Sequence, residues 1–435
     1  MKKSIIVLLL SVITFFSYAE GYQVNLQSVR QTGMGHTGVS LGLGVESMHF
    51  NPAGLIFMKG RMQFSGGFSA IFSKNKYSQG NLIWNTNNPV GTPFYMYAGF
   101  KVNDNLALGL SVTTPYGSSL NWGKNWYGAH LVQDIKLQSF FYQPTVSYKI
   151  SDNLSVGGGL MISYGKFDLN KGLIERGGGM YKPALNGAFG NKYDDVVPAS
   201  VNLNGSAKVA FGYNLGVLYK VNEKFTLGLN YRSEMKMKVE GGKANLSYVS
   251  DEIKAVFSGK MPPLDKGEFS SELPLPANTT LGLSYKATDR LLIAAEVQLV
   301  EWSAYKELKF DFSPAALPDV VSKKNYKNSL AYRLGFEYKT TERLDLRAGI
   351  YYDESPVQTD LYNPETPGMD KLGISFGASF SPIKNLTVDF ALLYIHGMKV
   401  KGSTPDPNPV VPNRSFGGTY TSQGVIPSIG LTYTL

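Results

Sequence analysis

From about Met62 onward, apolar residues alternate with small or polar ones, the period of two that a strand with unlike faces produces. Leu330, Tyr332, Leu334, Phe336 and Tyr338 share one face, opposed by Ser329, Ala331, Arg333, Gly335, Glu337 and Lys339. Leu344, Leu346, Ala348, Ile350 and Tyr352 repeat the pattern, as do Leu372, Ile374, Phe376, Ala378 and Phe380. The alternation predicts fourteen strands, over roughly 61–74, 92–103, 105–120, 134–151, 153–169, 198–221, 224–241, 275–288, 290–310, 325–340, 342–354, 370–382, 384–400 and 418–435. Six tight turns join them at Asn103-Asp104, Ser151-Asp152, Asn222-Glu223, Thr288-Asp289, Thr341-Glu342 and Ile383-Lys384. Seven longer polar loops separate these turns, the two longest over 170–197 and 242–274.

In a soluble double sandwich the apolar faces would form the core. In an outer-membrane barrel they meet lipid, and the polar faces line the lumen. An even strand count, with short turns at one end and long loops at the other, favours the barrel. Tyr148, Tyr219, Tyr285, Tyr338 and Tyr433 lie near the short turns, as an interfacial girdle would require. The expected fold is therefore all-β: a 14-stranded antiparallel transmembrane β-barrel over residues 61–435.

The residues before the first strand divide in two. Lys2 and Lys3, the apolar run Ile5 to Phe16 and Ser17-Tyr18-Ala19 read as a signal peptide over 1–19, cleaved after Ala19. The run is shorter than the ~20 residues a membrane helix needs. Residues 20–60 are glycine-rich and lack strand alternation. A 14-stranded barrel encloses a lumen too wide for its own side chains to fill, so this segment is expected to be a hatch plugging it. Export and a barrel together place the protein in the bacterial outer membrane, among outer-membrane lipid and lipopolysaccharide.

Composition narrows the chemistry. Charged residues are 17% of the chain, well below the roughly 25% usual for soluble domains. With no cysteine and four histidines, thiolate nucleophiles and thiolate or histidine-rich metal centres are not expected. Gly33-Met34-Gly35-His36-Thr37-Gly38 fits a dinucleotide fingerprint, but no strand precedes it and no βαβ unit follows. Gly373-Ile374-Ser375-Phe376-Gly377 fits a nucleophile elbow, yet Ser375 sits mid-strand. The reading is of a protein that is not an enzyme, with no cofactor, metal site or nucleic-acid partner. A barrel lipase, the rival class, would need a Ser–His pair at the lipid boundary.

Several short motifs carry a resemblance. Gly21-Tyr22-Gln23-Val24-Asn25, Gly33-Met34-Gly35 and Asn51-Pro52-Ala53-Gly54-Leu55 resemble the hatch of the FadL family (OMPP1/FadL/TodX type) of outer-membrane transporters for long-chain fatty acids and other hydrophobic molecules. Thr113-Thr114-Pro115-Tyr116-Gly117, Tyr231-Arg232-Ser233-Glu234, Leu346-Arg347-Ala348-Gly349-Ile350 and Tyr394-Ile395-His396-Gly397 are similar to motifs of its third, seventh, eleventh and thirteenth strands.

The complete count of fourteen strands and the lack of an evident energy-coupling box predict a monomer working by diffusion, and the resemblance implies uptake of long-chain fatty acids or, in some members, aromatic hydrocarbons. It implies lateral release through a kink at Thr114, Pro115, Tyr116 and Gly117, with Asn51, Pro52 and Ala53 of the hatch against that opening. Proline lacks a ladder N–H and glycine marks a bend, so the strand itself supports a kink. Pro115→Val with Gly117→Val is expected to restore regular pairing there. By position along the family pattern, Lys171, Lys323 and Lys324 lie near a head-group site, where a carboxylate would need a cation. In the loop 242–274, Ile253 and Phe257 fall on one face of a short amphipathic helix, which either lines a ligand groove or packs on the barrel rim. Arg232, Arg333 and Arg347 face the lumen by parity and are expected to pair with Glu234, Glu337 and Asp345.

Overall fold

The computed structural model describes residues 22–261, 263–264, 267–313, 319–406 and 414–435. The expected signal peptide, residues 1–19, lies outside the described residues.

Fourteen antiparallel strands close into one barrel. They are β1 (Met62–Ser69 and Phe72–Gln79), β2 (Leu82–Asn85 and Phe94–Lys101), β3 (Leu106–Thr113 and Gly117–Asn121), β4 (Asp134–Lys149) and β5 (Leu154–Gly172). Then come β6 (Ala199–Lys220), β7 (Phe225–Arg232 and Met235–Tyr248), β8 (Glu268–Leu275 and Asn278–Lys286), β9 (Leu291–Val300 and Glu307–Ser313) and β10 (Val320–Lys323 and Ser329–Lys339). The last four are β11 (Leu344–Asp353), β12 (Lys371–Ile383), β13 (Leu386–Pro405) and β14 (Ser415–Thr434). Each pairs with its neighbour in sequence, and β14 returns to β1 through Phe64↔Tyr433 and Phe68↔Ile429. Closure leaves no edge strand exposed to lipid, where an unpaired backbone group would cost several kcal/mol.

Parity is inverted relative to a soluble protein. Phe64, Met96, Leu108, Phe211, Leu281 and Phe376 are exposed, whereas Ser65, Ser111, Gln143, Asn214, Arg347 and Ser375 are buried. The apolar face therefore turns outward to lipid. Tyr148, Tyr219, Tyr338 and Tyr433 are exposed beside the short turns, and Tyr285 stacks on Phe225 with centroids 4.6 Å apart.

Three expectations about strand and loop extent change. β1 runs to Gln79 and β2 starts at Leu82, so a tight turn replaces the loop expected between 61–74 and 92–103. β7 continues to Tyr248 and β8 starts at Glu268, so the ordered barrel wall extends into what the sequence pattern assigns to a loop over 242–274. The extension inverts the alternation, with Ala244, Leu246 and Phe269 turned inward and Lys243 and Asn245 outward, and Lys236 and Lys238 reach Glu272 across the strands at 2.9 and 3.3 Å. Meanwhile β9 is interrupted after Val300 by a helical turn, Trp302–Ala304, rather than running straight.

Residues 22–60 fill the lower lumen with short helical turns: α1 (Val29–Thr32), α2 (Ser47–Phe50) and a 3-10 turn, Pro52–Phe57. Backbone packs on backbone here. A Cβ on lumen-facing Gly349 would strike Gly35, and one on Gly228 would strike Val39. Polar contacts fix the segment's orientation. The N–H groups of Gly38 and Val39 donate to Glu296 Oε1, each at 2.6 Å. Arg30 meets Glu337 through two bonds of 3.1 and 3.0 Å, and Arg347 reaches the same carboxylate at 2.7 Å.

Candidate functional site

The expected kink in β3 is present, and its cause is countable. Thr113 lies opposite Phe141 of β4, and Gly117 lies opposite Gln138. β3 thus takes four steps where β4 takes three, which is a β-bulge. Ser139 makes up the missing ladder by accepting from Tyr116 N at 3.1 Å and donating to its carbonyl at 2.6 Å.

On the other side, β2 and β3 pair only as far as Tyr95↔Thr113. Thr114 Oγ1 extends the contact by one bond pair to Phe94, at 3.1 Å each way. Beyond it the two strands part, and Gly117–Asn121 pairs with β4 alone. Contact resumes at the end of β3, where Asn87 N donates to Asn121 O at 2.8 Å. The wall is therefore interrupted between β2 and β3.

The hatch covers this break with its own first residues. Val24 N donates to Pro115 O at 2.8 Å, Gly117 N donates to Tyr22 O at 2.9 Å, and Gln23 forms a β-bridge with Tyr116. Asn51, Pro52 and Ala53 lie elsewhere, which corrects the placement the resemblance implied. Asn51 donates to Val39 O and Val217 O at 2.7 and 2.9 Å, while Ala53 O accepts from Ser147 and Ser155 at 3.1 and 3.0 Å. Ser147 is level with Ala107, so the turn sits six residues short of Thr113, about 20 Å along the strand at ~3.3 Å per residue. Glycines at 157 and 216 make the seat, because a Cβ on either would strike the turn.

A cavity of about 570 Å³ joins the lumen to the break. His36, Tyr351 and Lys371 line its inner part, and Val90, Phe94, Thr114 and Gly117 its outer part. His36 is fully enclosed, and burial together with Arg333 and Lys371 lowers its pKa to about 3. It is neutral at physiological pH. Higher in the barrel, Tyr22, Leu137, Phe167, Met237, Leu273 and Leu308 line a narrow apolar cavity of about 40 Å³. Glu365 and Thr366 form its polar end.

Lys324 stands at that polar end. It is buried, and its Nζ meets Glu365 Oε2 at 2.7 Å. Lys171, partly buried at the end of β5, lies in the electrostatic field of both. Lys323 is separated from them, exposed on the opposite strand face. Ile253 and Phe257 are fully buried in α4 (Asp251–Phe257), after α3 (Lys182–Phe189). They pack with Ile174, Leu185 and Tyr193 of the preceding long loop, so this apolar face holds two loops together. The arginines also depart from the simple pairing. Arg347 reaches Asp345 only at 3.9 Å and Asp389 at 3.4 Å, Arg333 bonds Gln298 at 2.7 Å, and Arg232 bonds His49 Nδ1 at 3.0 Å.

Sequence alone does not reveal the mouth of the lumen. Trp122 stacks on Trp126 at 4.5 Å, and Tyr77, Tyr362, Phe416 and Tyr420 complete a ring cluster drawn from four chain segments. Ser375, the residue of the nucleophile-elbow match, accepts from Gly35 N at 3.0 Å and serves to seat the hatch.

A family model described as outer membrane protein transport protein (OMPP1/FadL/TodX) matches residues 10–435. The long-chain fatty acid transport protein of Salmonella typhi is 25% identical over 414 residues, covering 92% of each chain. Among solved structures, a Pseudomonas aeruginosa FadL homologue superposes with TM-score 0.79 at 22% identity, over 95% of this chain and 99% of that one. The P. putida toluene transporter TodX superposes with TM-score 0.68 at 16% identity, over 97% and 99%.

Proposed function

The chain belongs to the OMPP1/FadL/TodX family of outer membrane protein transport proteins, and from that premise we propose that it takes up long-chain fatty acids and releases them sideways into the membrane beside β3. It is an outer-membrane transport protein and not an enzyme. One observation carries the lateral route: the cavity that runs from the lumen to the interrupted wall between β2 and β3. A ligand leaving there enters lipid without crossing water, which would cost about 0.8 kcal/mol per methylene. Release requires Tyr22, Gln23 and Val24 to leave the kink, so the start of the hatch is the gate. No energy-coupling element is evident in the hatch, and the barrel closes on itself, so a passive monomer is the simplest working unit.

Buried Lys324 and partly buried Lys171 beside the apolar cavity suit a carboxylate, and that cavity, about 40 Å³, must widen to take an acyl chain. A second reading, an aromatic hydrocarbon, is favoured by the internal pairing of Lys324 with Glu365 and by the ring-lined mouth. Competition between oleate and toluene for purified protein separates the two.

The kink test must address the extra residue. Pro115→Val with Gly117→Val leaves the four-against-three count intact, so it does not close the break. Deleting Pro115 equalises the count. Uptake of labelled oleate by cells lacking other transporters should then fall to background, while oleate binding to the purified variant persists. Normal uptake by the deletion variant would replace the lateral route with one through the hatch to the periplasm.

A further inference from the structure

On the outer wall at the long-loop end, several cations are already satisfied. Lys208 pairs with Glu240, Lys236 and Lys238 with Glu272, Lys243 with Glu268, and Lys309 with Asp319 at 3.0 Å. One sector differs. Lys74 and Lys76 on β1, with Lys399 and Lys401 on β13, are exposed. Among the described residues none of the four has a carboxylate within ion-pairing distance. β14 lies between the two strands, and its register sets Lys74 opposite Gln423 and Lys401 opposite Thr419. The two lysine pairs therefore stand two strand spacings apart, about 10 Å.

What surrounds them is graded by depth. Immediately toward the short-turn end, Phe72, Val425 and Tyr394 form a single cross-strand row of exposed apolar residues. Toward the loops, an open groove of about 760 Å³ is walled by Ser78, Thr359, Ser403, Ser415 and Thr419, with Lys401 and exposed Asp360 at its side. Read outward from the bilayer, the order is apolar, cationic, hydroxyl-rich.

We propose that this sector binds lipid A, the phosphorylated and acylated sugar lipid of the outer leaflet. Its acyl chains lie on the Phe72, Val425 and Tyr394 row, its phosphates reach the two lysine pairs, and its sugars lie against the groove. Lysines near a membrane surface attract anionic lipid head groups individually, and their effects accumulate. The site rests on outer-membrane placement with the long loops outward, and it is independent of the transport route.

Full-length protein in phosphatidylcholine nanodiscs, titrated with fluorescent bisphosphorylated lipid A, tests the proposal. Lys74→Gln, Lys76→Gln, Lys399→Gln and Lys401→Gln together should weaken binding by roughly ten- to a hundred-fold. The same four changes at Lys208, Lys236, Lys238 and Lys243 should leave it within about two-fold, since those lysines are already paired. Dephosphorylated lipid A should bind wild type as weakly as the first variant, and excess inorganic phosphate should not displace the lipid. Pairwise variants on β1 or β13 alone give intermediate losses and stand in if the quadruple variant does not fold. Undiminished binding by the first set, equal loss in the second, or displacement by inorganic phosphate would each overturn the site. Oleate uptake should be unaltered in every variant.

Discussion

The two halves of the lumen are filled by different physics. In the half nearer the short turns, backbone meets backbone over glycines, and ions and amides fix the fit: Arg30 on Glu337, the Gly38 and Val39 N–H groups on Glu296, Asn51 on Val217. Near the loops, tryptophan, tyrosine and phenylalanine rings from separate segments pack on one another. A directional contact is either made or lost, whereas an apolar cluster can rearrange and still exclude water. The lower half therefore behaves as a lock. The upper half behaves as a solvent that an apolar ligand can enter by replacing one set of contacts with another.

The comparison breaks most completely at Gly349. Gly349→Val puts two methyl groups where Gly35 lies, so the hatch should fail to dock while the barrel stays closed. Planar-bilayer recordings should show a large steady conductance absent from wild type. Next in size is Glu337→Ala, which removes the carboxylate nearest to buried Arg347 and the partner of Arg30. Removing one member of a buried pair costs about 3–5 kcal/mol. Hydrogen exchange over residues 22–60 should accelerate sharply, with strand amides unchanged. Trp126→Ala, in the upper half, should cost about 3 kcal/mol locally. It should loosen the loops and alter ligand affinity, yet leave exchange in the hatch as it was.

Acidity sharpens the contrast more gently. His36 and His49 of the hatch are buried neutral, and burial lowers both pKa values below the usual 6.5, His49 with the help of Arg232. A group with a lowered folded pKa gives its full stability above the unfolded value and loses it as pH falls. Below pH ~6.5, each histidine should therefore weaken hatch docking by up to about 1.4 kcal/mol per pH unit, continuing for His36 down to about 3. Exchange in the hatch should rise between pH 6.5 and 5. A hatch whose exchange is flat over that range would contradict the neutral assignment.

Much of the lower half was legible in the sequence, and little of the upper. Period-two alternation exposes every membrane-crossing strand, because lipid enforces it, and the glycine-rich stretch before Met62 announces close packing. The β3 kink was readable from Pro115 and Gly117. Its cover was not, since the bridge from Gln23 to Tyr116 joins residues far apart in the chain. Lys324 could be singled out, but not Glu365 opposite it. Above the membrane the alternation inverts, with Met237, Val239, Ala244 and Phe269 turned inward and Lys236, Lys238 and Lys243 outward, so a reading that expects apolar residues to face lipid takes the extended β7 and β8 for loop. Trp122 and Trp126 read as ordinary loop residues because their ring partners come from three other segments.

The seal over β3 also sets an order of assembly. Tyr22 to Val24 leave the ribosome before any strand, yet their docking surface needs β3 and β4 to have paired. Their hatch neighbours need β5 to β12, and β1 finds its second partner only when β14 arrives. Contacts this distant in sequence make folding slow. These residues, synthesised before any strand, are thus the last to be seated. Until then the nascent barrel is an open ring with its plug outside, and factors that hold the N-terminal segment apart during membrane insertion would speed maturation rather than hinder it.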